Sequence, residues 1–247
     1  MKMIHWPWQH DKKVEPEACD CQEQGAGPMK NADTWGRFTT DTEMLALCRS
    51  IDNLVPAHAP RVIQFMGIKG KEGVSTVVRE LAVAATRMLK KRVLILDAAH
   101  HAPSQHAHFG LDEPYGWIEA MANGEPVTKA CYPVEAEEQS LHLAPIAPKA
   151  SLPHWCADGA TLAPLFRGLK ESFDLVLIDS APALLSADTL ATCRFCDGVI
   201  LVFAAEGSWR LAEAAKMRIT EHGGAILGVV FNKRTFHIPE CIYKRLY

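Results

Sequence analysis

The stretch RVIQFMGIKGKEGVST, residues 61–76, constrains the fold more than any other part of the chain. Its apolar start predicts a buried strand, Gly70 and Gly73 predict a tight turn, and the residues after them predict the start of a helix. A loop of this kind presents backbone N–H groups and the positive end of a helix to a phosphate. The residue after Gly73, where a phosphate-binding loop carries lysine, is Val74. The chemistry of the site therefore depends on what remains without that lysine.

Apolar strands alternate with helices along the rest of the chain. Strands are predicted at 62–66, 93–96, Leu141–Ala144, 175–178, 198–203 and 225–231, and helices at 40–54, 76–90, Trp117–Ala122, 159–170, 187–196 and 208–222. The strands are short and apolar, which is typical of parallel strands buried on both faces. We therefore predict an α/β fold with a doubly wound, mostly parallel sheet that has helices on both faces.

Polar residues follow several of these strands at their carboxyl ends, where such sheets bind ligands. Asp97 and Asp179 close two strands, and Ser75 and Thr76 stand at the start of the helix that follows the glycine loop. A nucleoside triphosphate site needs backbone donors, a hydroxyl for magnesium and a carboxylate that holds the water shell of that ion. Each residue alone is as typical of a turn or a helix cap, but their register along one alternating chain favours a nucleotide site.

Composition excludes several classes of partner. The chain has 247 residues and a formal net charge of -3, which gives no electrostatic case for nucleic acid as a partner. Its eight cysteines form no regular framework, which is typical of reduced thiols. Since no segment approaches the roughly 20 apolar residues of a membrane helix, we expect a cytoplasmic protein that meets a membrane only through a partner.

The N-terminal residues differ in composition from the rest. They mix proline, glycine, glutamine and charged residues without an apolar period, so we predict a flexible tail at 1–41 and a single domain at 42–247. Trp6 and Trp8 fit either a small patch that packs on the domain or an anchor for a partner.

Two further clusters have the composition of metal or redox sites. Four histidines lie within 100–108, and imidazoles suit zinc, copper or nickel, but a polar loop in place of the lost basic acceptor region is the expected role. Cys193 and Cys196 form a CxxC pair without a second pair, for which packing in the core is the expected role.

The motifs together resemble a known family over residues 42–247. KGKEGVST is similar to the KGGxGK[ST]T deviant phosphate loop of the MinD/ParA class, and closer to the GEGKST variant of the bacterial tyrosine kinases (BY-kinases) that regulate capsule and exopolysaccharide export. RVLILDAAHHAPS resembles the second motif of those kinases and FDLVLIDSAPALLSAD the third. LGVVFNKRTFHIPECIYKRLY resembles their last strand and the helix after it. The resemblance implies a P-loop NTPase fold.

The resemblance also implies roles for individual residues, with ATP or ADP and Mg²⁺ as ligands. Asp97 and Asp179 would be the catalytic carboxylates, and together with Ser75 they would hold Mg²⁺. Asn232 would contact the adenine base, and Lys69 would be the signature lysine of the family. The full predicted nucleotide-binding set is Lys69, Gly70, Lys71, Glu72, Gly73, Ser75, Thr76 and Asn232. Tyr243 and Tyr247 would be the candidate phosphoacceptors.

The departures from the family pattern all weaken catalysis. The loop lysine is Val74, the second acid of the second motif is Ala99, and the arginine after it is His101. A missing charge-assisted contact costs roughly 1.5–3 kcal/mol in binding, and a missing donor at a transition state about 3–4 kcal/mol. Lys69, Lys71 and Arg79 are the available replacement cations.

We therefore expect a degenerate BY-kinase-like protein of exopolysaccharide or capsule biosynthesis. It would regulate a membrane polysaccharide co-polymerase, a Wzz-like chain-length regulator, and would lie at the inner membrane through that partner, with homo-oligomers possible. An active tyrosine autokinase or ATPase that uses a displaced lysine is the alternative. A MinD/ParA-like positioning ATPase is the third reading, and the IPECIYKRLY ending argues against it.

Overall fold

The computed structural model describes residues 2–5, 32–55, 60–100, 103–112, 114–134, 140–147, 159–204 and 207–233. Its strands are β1 Lys2–His5, β2 Arg61–Gly67, β3 Val93–Ala98, β4 Tyr132–Pro133, β5 Leu141–Ala144, β6 Leu175–Ser180, β7 Gly198–Ala204 and β8 Ile226–Asn232. Its helices are α1 Ala32–Leu54, α2 Val74–Leu89, α3 Gln105–His108, α4 Trp117–Ala122, α5 Gly159–Ser172, α6 Ala187–Cys193 and α7 Trp209–Glu221, with a 3-10 helix at Val127–Ala130.

The described strands form one eight-stranded sheet in the order β1-β8-β7-β2-β6-β3-β5-β4. Its neighbours pair in parallel, apart from the antiparallel pair β4–β5. The central strands are buried along their whole length, as strands covered by helices on both faces must be. The predicted fold class is confirmed.

Helix α2 shows how the sequence produces this packing. Val77, Val78, Leu81 and Ala85 recur at helical spacing and are fully buried against the sheet and α1. The helix ends at Lys90, whose left-handed backbone (φ 54) lets its N–H bond the carbonyl of Ala85. Because α2 is fixed along its length, its first turn is held at the carboxyl edge of the sheet.

The helix before β2 begins earlier than the sequence predicts. Helix α1 starts at Ala32, eight residues before the predicted start at residue 40. The residues between carry a glycine, two threonines and two aromatic side chains, which give a weak helical signal. Within the predicted tail, β1 pairs in parallel with the edge strand β8, a contact that four residues of sequence do not reveal. The division of the chain at residue 41 stays a prediction.

Besides β1, three short elements were not predicted: α3, the 3-10 helix and β4. Each spans two to four residues, too few for a hydrophobic period to be recognised. Among the described residues, no helix combines the length and the apolar character that crossing a membrane requires.

Candidate nucleotide site

The loop between β2 and α2 has the backbone conformation of an anion-binding loop. Lys71 and Gly73 both have left-handed backbones, with φ of 65° and 88°. A Cβ atom on Gly73 would lie 2.2 Å from Nδ2 of Asn232. Glycine at position 73 is therefore required twice, by its backbone angle and by the amide that packs against it.

A glutamate braces this loop from inside. The side chain of Glu72 is buried, and its Oε2 accepts hydrogen bonds from the backbone N–H groups of Ile68 at 2.5 Å and Lys69 at 2.8 Å. Gly67 leaves room for this carboxylate, because a Cβ there would lie 2.7 Å from Oε2. Glu72 was predicted to bind nucleotide; its carboxylate is engaged within the loop, which leaves its backbone N–H as the group that a phosphate could meet.

The first turn of α2 keeps its backbone donors available. Gly73 is the N-cap and provides no side-chain hydrogen bond, so no side chain of the cap competes with a ligand for the N–H groups of Val74, Ser75 and Thr76. These donors lie at the positive end of a 16-residue helix. This part of the site therefore fits a phosphate group.

Val74 contributes no charge to this turn. Its side chain is partly buried and packs against the apolar cluster that β2, α1 and α2 share. The methyl groups thus stabilise the start of α2, where the family pattern has an ammonium group that would reach the phosphates.

Two carboxylates lie side by side at the ends of neighbouring strands. Asp97 on β3 and Asp179 on β6 are direct register partners, which places their backbones about 5 Å apart. Both side chains are buried, at 0% and 1% exposure. Oδ2 of Asp97 and Oδ1 of Asp179 have no hydrogen-bond partner among the described residues. The two acids thus lie together, and their role in a nucleotide site stays a prediction.

Burial and mutual repulsion make these acids weaker. Burial, followed by the charge of Asp179, raises the pKa of Asp97 to about 7. Burial also raises the pKa of Asp179, against the opposing effects of Ser75, Gln105 and Arg79. Near neutral pH the pair therefore carries less negative charge than two exposed aspartates would carry.

A glutamine and an arginine bind this acid pair into a network. Gln105 is fully buried, and its Nε2 donates to Oδ2 of Asp179 at 2.6 Å and to the carbonyl of Ser75 at 3.3 Å. Arg79 donates from Nη1 to Oε1 of Gln105 at 3.3 Å and from Nη2 to Oγ1 of Thr76 at 3.2 Å. The sequence did not predict Gln105, because residues 98–124 were predicted to be mostly loop. The signal that could have indicated it is its place two residues after Pro103, where a short helix can begin.

The last strand fastens the loop from the opposite side. Nδ2 of Asn232 donates to the carbonyl of Glu72 at 2.8 Å, and its Oδ1 accepts from the N–H of Lys233 at 2.8 Å. Lys233 has a left-handed backbone (φ 55), and its Nζ donates to the carbonyl of Lys71. Lys233 was not predicted, although it directly follows the predicted Asn232. The contact of Asn232 with an adenine base stays a prediction.

The two loop lysines lie at the surface. Lys69, Gly70 and Lys71 are exposed, and the space around Gly70 is open, since a Cβ there would meet nothing within 4 Å. Both ammonium groups are thus free to approach a ligand from solvent, but the loop does not hold them against the first turn of α2.

The other candidate sites receive no support from the described residues. Within that part of the chain, no group of three or more histidine, cysteine or acidic side chains is arranged to hold a metal ion. Burial raises the pKa of both Cys193 and Cys196, which fits thiols packed in the core. His101, Trp6, Trp8 and the predicted phosphoacceptors Tyr243 and Tyr247 lie outside the described residues.

Comparisons with known proteins agree with this fold. Residues 61–221 match the family described as Cellulose biosynthesis protein BcsQ. The tyrosine-protein kinase YwqD of Bacillus subtilis (strain 168) is 26% identical to the chain over 163 residues, which are 65% of the chain and 67% of YwqD.

Two solved structures show the same fold at low sequence identity. The chimerical protein CapA2B2 superposes with a TM-score of 0.70 and 23% identity, over 79% of this chain and 85% of that one. The septum site-determining protein MinD of Pyrococcus horikoshii OT3, complexed with Mg-ADP, superposes with a TM-score of 0.56 and 24% identity, over 70% of each chain. The sequence and structure matches together confirm the resemblance to bacterial tyrosine kinases and MinD-like P-loop proteins.

Proposed function

The chain belongs to the family of the cellulose biosynthesis protein BcsQ, and from this premise we propose that it is a nucleotide-binding regulator of exopolysaccharide biosynthesis that does not transfer phosphate. Cellulose is an exopolysaccharide, so the family agrees with the pathway predicted from the motifs. Its relative YwqD is a tyrosine-protein kinase. The proposal separates two properties that such a kinase combines, namely nucleotide binding and phosphoryl transfer.

The observation that carries the proposal is the state of the first turn of α2. No cap side chain bonds the N–H groups from Val74 to Thr76, while the side chain at position 74 packs against the apolar core. Backbone donors and a helix N-terminus are sufficient to bind a phosphate. Phosphoryl transfer needs in addition a cation at the transferring oxygens, where one missing donor costs about 3–4 kcal/mol.

Regulation would follow from the way nucleotide ties the loop to its neighbours. The loop contacts β8 through Asn232 and Lys233, and α3 through Gln105 and the Ser75 carbonyl. A ligand that orders these contacts stabilises one conformation by mass action. The partner that reads this conformation would be a membrane polysaccharide co-polymerase of the Wzz-like class, which would hold the protein at the cytoplasmic side of the inner membrane. Ser75, Asp97 and Asp179 are the residues that would hold Mg²⁺ if it accompanies the nucleotide.

Thermal unfolding with added nucleotide tests the binding half of the proposal. We expect millimolar ADP or ATP to raise the unfolding temperature of the wild-type chain, since ligand at about 100 Kd stabilises by about 2.7 kcal/mol. Adenosine is the matched control: it lacks the phosphates that the helix start would bind, so it should give a much smaller shift. Equal shifts with adenosine, or none with any ligand, would contradict the proposed phosphate site.

Incubation with labelled ATP tests the second candidate function, an active tyrosine autokinase or ATPase. Lys69 and Lys71 favour this candidate, because both are exposed on the loop and could supply the missing charge. Label that appears on Tyr243 or Tyr247, and disappears when both lysines are replaced by alanine, would establish it in place of the regulator. Our proposal expects no label. ATP turnover without tyrosine labelling would instead favour the third candidate, a MinD-like positioning ATPase.

A further inference from the structure

The acid pair has a cationic side chain among its near neighbours. Arg79 lies one helical turn after Thr76 on α2 and bonds the hydroxyl of that residue. Burial lowers the pKa of this guanidinium, and the charges of Asp179, Glu80 and Asp97 oppose that lowering. Arg79 is thus inside the electrostatic field of both carboxylates, in the region where a nucleotide site would hold a divalent cation.

Gln105 fixes the distance between the arginine and the acids. Its Oε1 accepts from Arg79 while its Nε2 donates to Asp179, so one side-chain amide links the cation to the carboxylate. Gln105 is fully buried and has no freedom to leave this position without exposing unpaired polar groups. The guanidinium is therefore held by contacts on two sides, to Gln105 and to Thr76.

We propose that Arg79, positioned by Gln105, is the resident counter-ion of the Asp97–Asp179 pair and takes the place of a divalent metal ion at this site. A fixed positive charge close to the two carboxylates repels a second cation. The site then binds a nucleoside diphosphate or triphosphate without Mg²⁺. This inference rests on the proposed nucleotide binding, but its first test does not.

Metal ions alone provide that first test, with thermal unfolding and Mn²⁺ titration as readouts. Wild-type protein should show the same unfolding temperature in EDTA and in millimolar Mg²⁺. Arg79→Met should unfold at a lower temperature in EDTA, because two buried carboxylates lose their counter-ion, and Mg²⁺ should restore part of the loss. Mn²⁺ affinity should rise by roughly tenfold or more in this variant. Equal Mn²⁺ affinity of both proteins would overturn the inference.

Two further variants keep the test decisive if Arg79→Met does not fold. Arg79→Lys keeps the charge but loses the second donor, so its Mn²⁺ affinity should stay close to that of the wild type. Gln105→Leu removes the link to the acids, so its Mn²⁺ affinity should rise. The matched control is Arg210→Met, which removes an exposed arginine at the start of α7 and should change nothing. A higher Mn²⁺ affinity in Arg79→Lys than in Gln105→Leu would overturn the proposed role of Gln105 as the link between Arg79 and the acids.

Nucleotide binding in EDTA provides the second test. Wild-type protein should bind ADP with the same affinity in EDTA and in Mg²⁺, whereas Arg79→Met should bind it more tightly in Mg²⁺ than in EDTA. Binding by the wild type that is lost in EDTA would overturn the counter-ion inference and leave the proposed function intact. No binding in either buffer would overturn the proposed function, while the Mn²⁺ comparison would still decide the role of Arg79.

Discussion

The two halves of the candidate site differ in how their remaining groups are held. The phosphate half, formed by the loop and the first turn of α2, has the backbone geometry of an anion-binding loop and lacks the charged side chain that the family pattern places at Val74. The acid half lacks the acid that the family pattern places at Ala99, but it has Asp97 and Asp179, with Gln105 bonded to Asp179 and to Arg79. Positions that determine the shape of the loop are retained, and the changes affect groups that would act on the ligand. The proposed function therefore treats nucleotide binding and phosphoryl transfer as separable properties of this site.

The largest effect should come from breaking the phosphate half at Gly73. In Gly73→Ala the left-handed backbone costs about 1–2 kcal/mol, and displacement of the Asn232 amide leaves buried groups unpaired at roughly 1–3 kcal/mol. We expect the free energy of unfolding in urea to fall by about 2–5 kcal/mol. Gly70→Ala is the control, because a Cβ there meets no atom within 4 Å. Equal losses in both variants would mean that this loop does not have the described conformation.

The second effect concerns the brace inside the loop. Glu72→Ala removes the acceptor of the Ile68 and Lys69 N–H groups. The buried donor of Ile68 left unpaired costs roughly 1–3 kcal/mol, and the part-buried bond of Lys69 contributes about 1 kcal/mol. We expect unfolding free energy to fall by about 2–4 kcal/mol in total. Both N–H groups bond the same oxygen, Oε2, so Glu72→Gln keeps an oxygen that can accept from both and should lose much less than Glu72→Ala. A loss in Glu72→Ala no larger than in Glu72→Gln would show that the carboxylate does not brace the loop.

The third effect should restore what the phosphate half lacks. Val74→Lys places a cation at the first turn of α2, where its stem can lie along the apolar surface that valine now covers. A charge-assisted contact of roughly 1.5–3 kcal/mol corresponds to ADP affinity about 10 to 150 times higher. Isothermal titration calorimetry measures the ADP affinity. Val74→Met, whose side chain has a similar length without the charge, is the control. Unchanged affinity in Val74→Lys would place the phosphates elsewhere.

Sequence reasoning predicted the two halves to different extents. The phosphate half lies within one continuous stretch, so its strand, glycines and helix start could be identified from local patterns. The acid half depends on the register of β3 against β6, which brings Asp97 beside Asp179 across 82 residues of sequence. Gln105 completes it from the four-residue helix α3, through its bond to Asp179. Long-range register and very short helices leave no periodic signal, so the network around Arg79 required the structure.

The smallest effect should come from Glu43, an acid whose pKa is raised by burial without a second acid beside it. Glu43 on α1 lies outside both halves; burial alone raises its pKa to about 7, and its Oε2 has no hydrogen-bond partner among the described residues. The folded state therefore binds a proton more tightly than the unfolded state, so stability falls as pH rises from about 4.5 to about 7 and is then constant. Glu43→Gln should remove this loss: the variant should be more stable than the wild type at pH 8 and equally stable at pH 4.

Because the side chain is partly exposed, we expect a modest difference, measured by urea unfolding at the two pH values. A stability difference of the same size at pH 4 and pH 8 would mean that the substitution acts through packing. The raised pKa of Asp97 would then have to be attributed to the charge of Asp179 more than to burial.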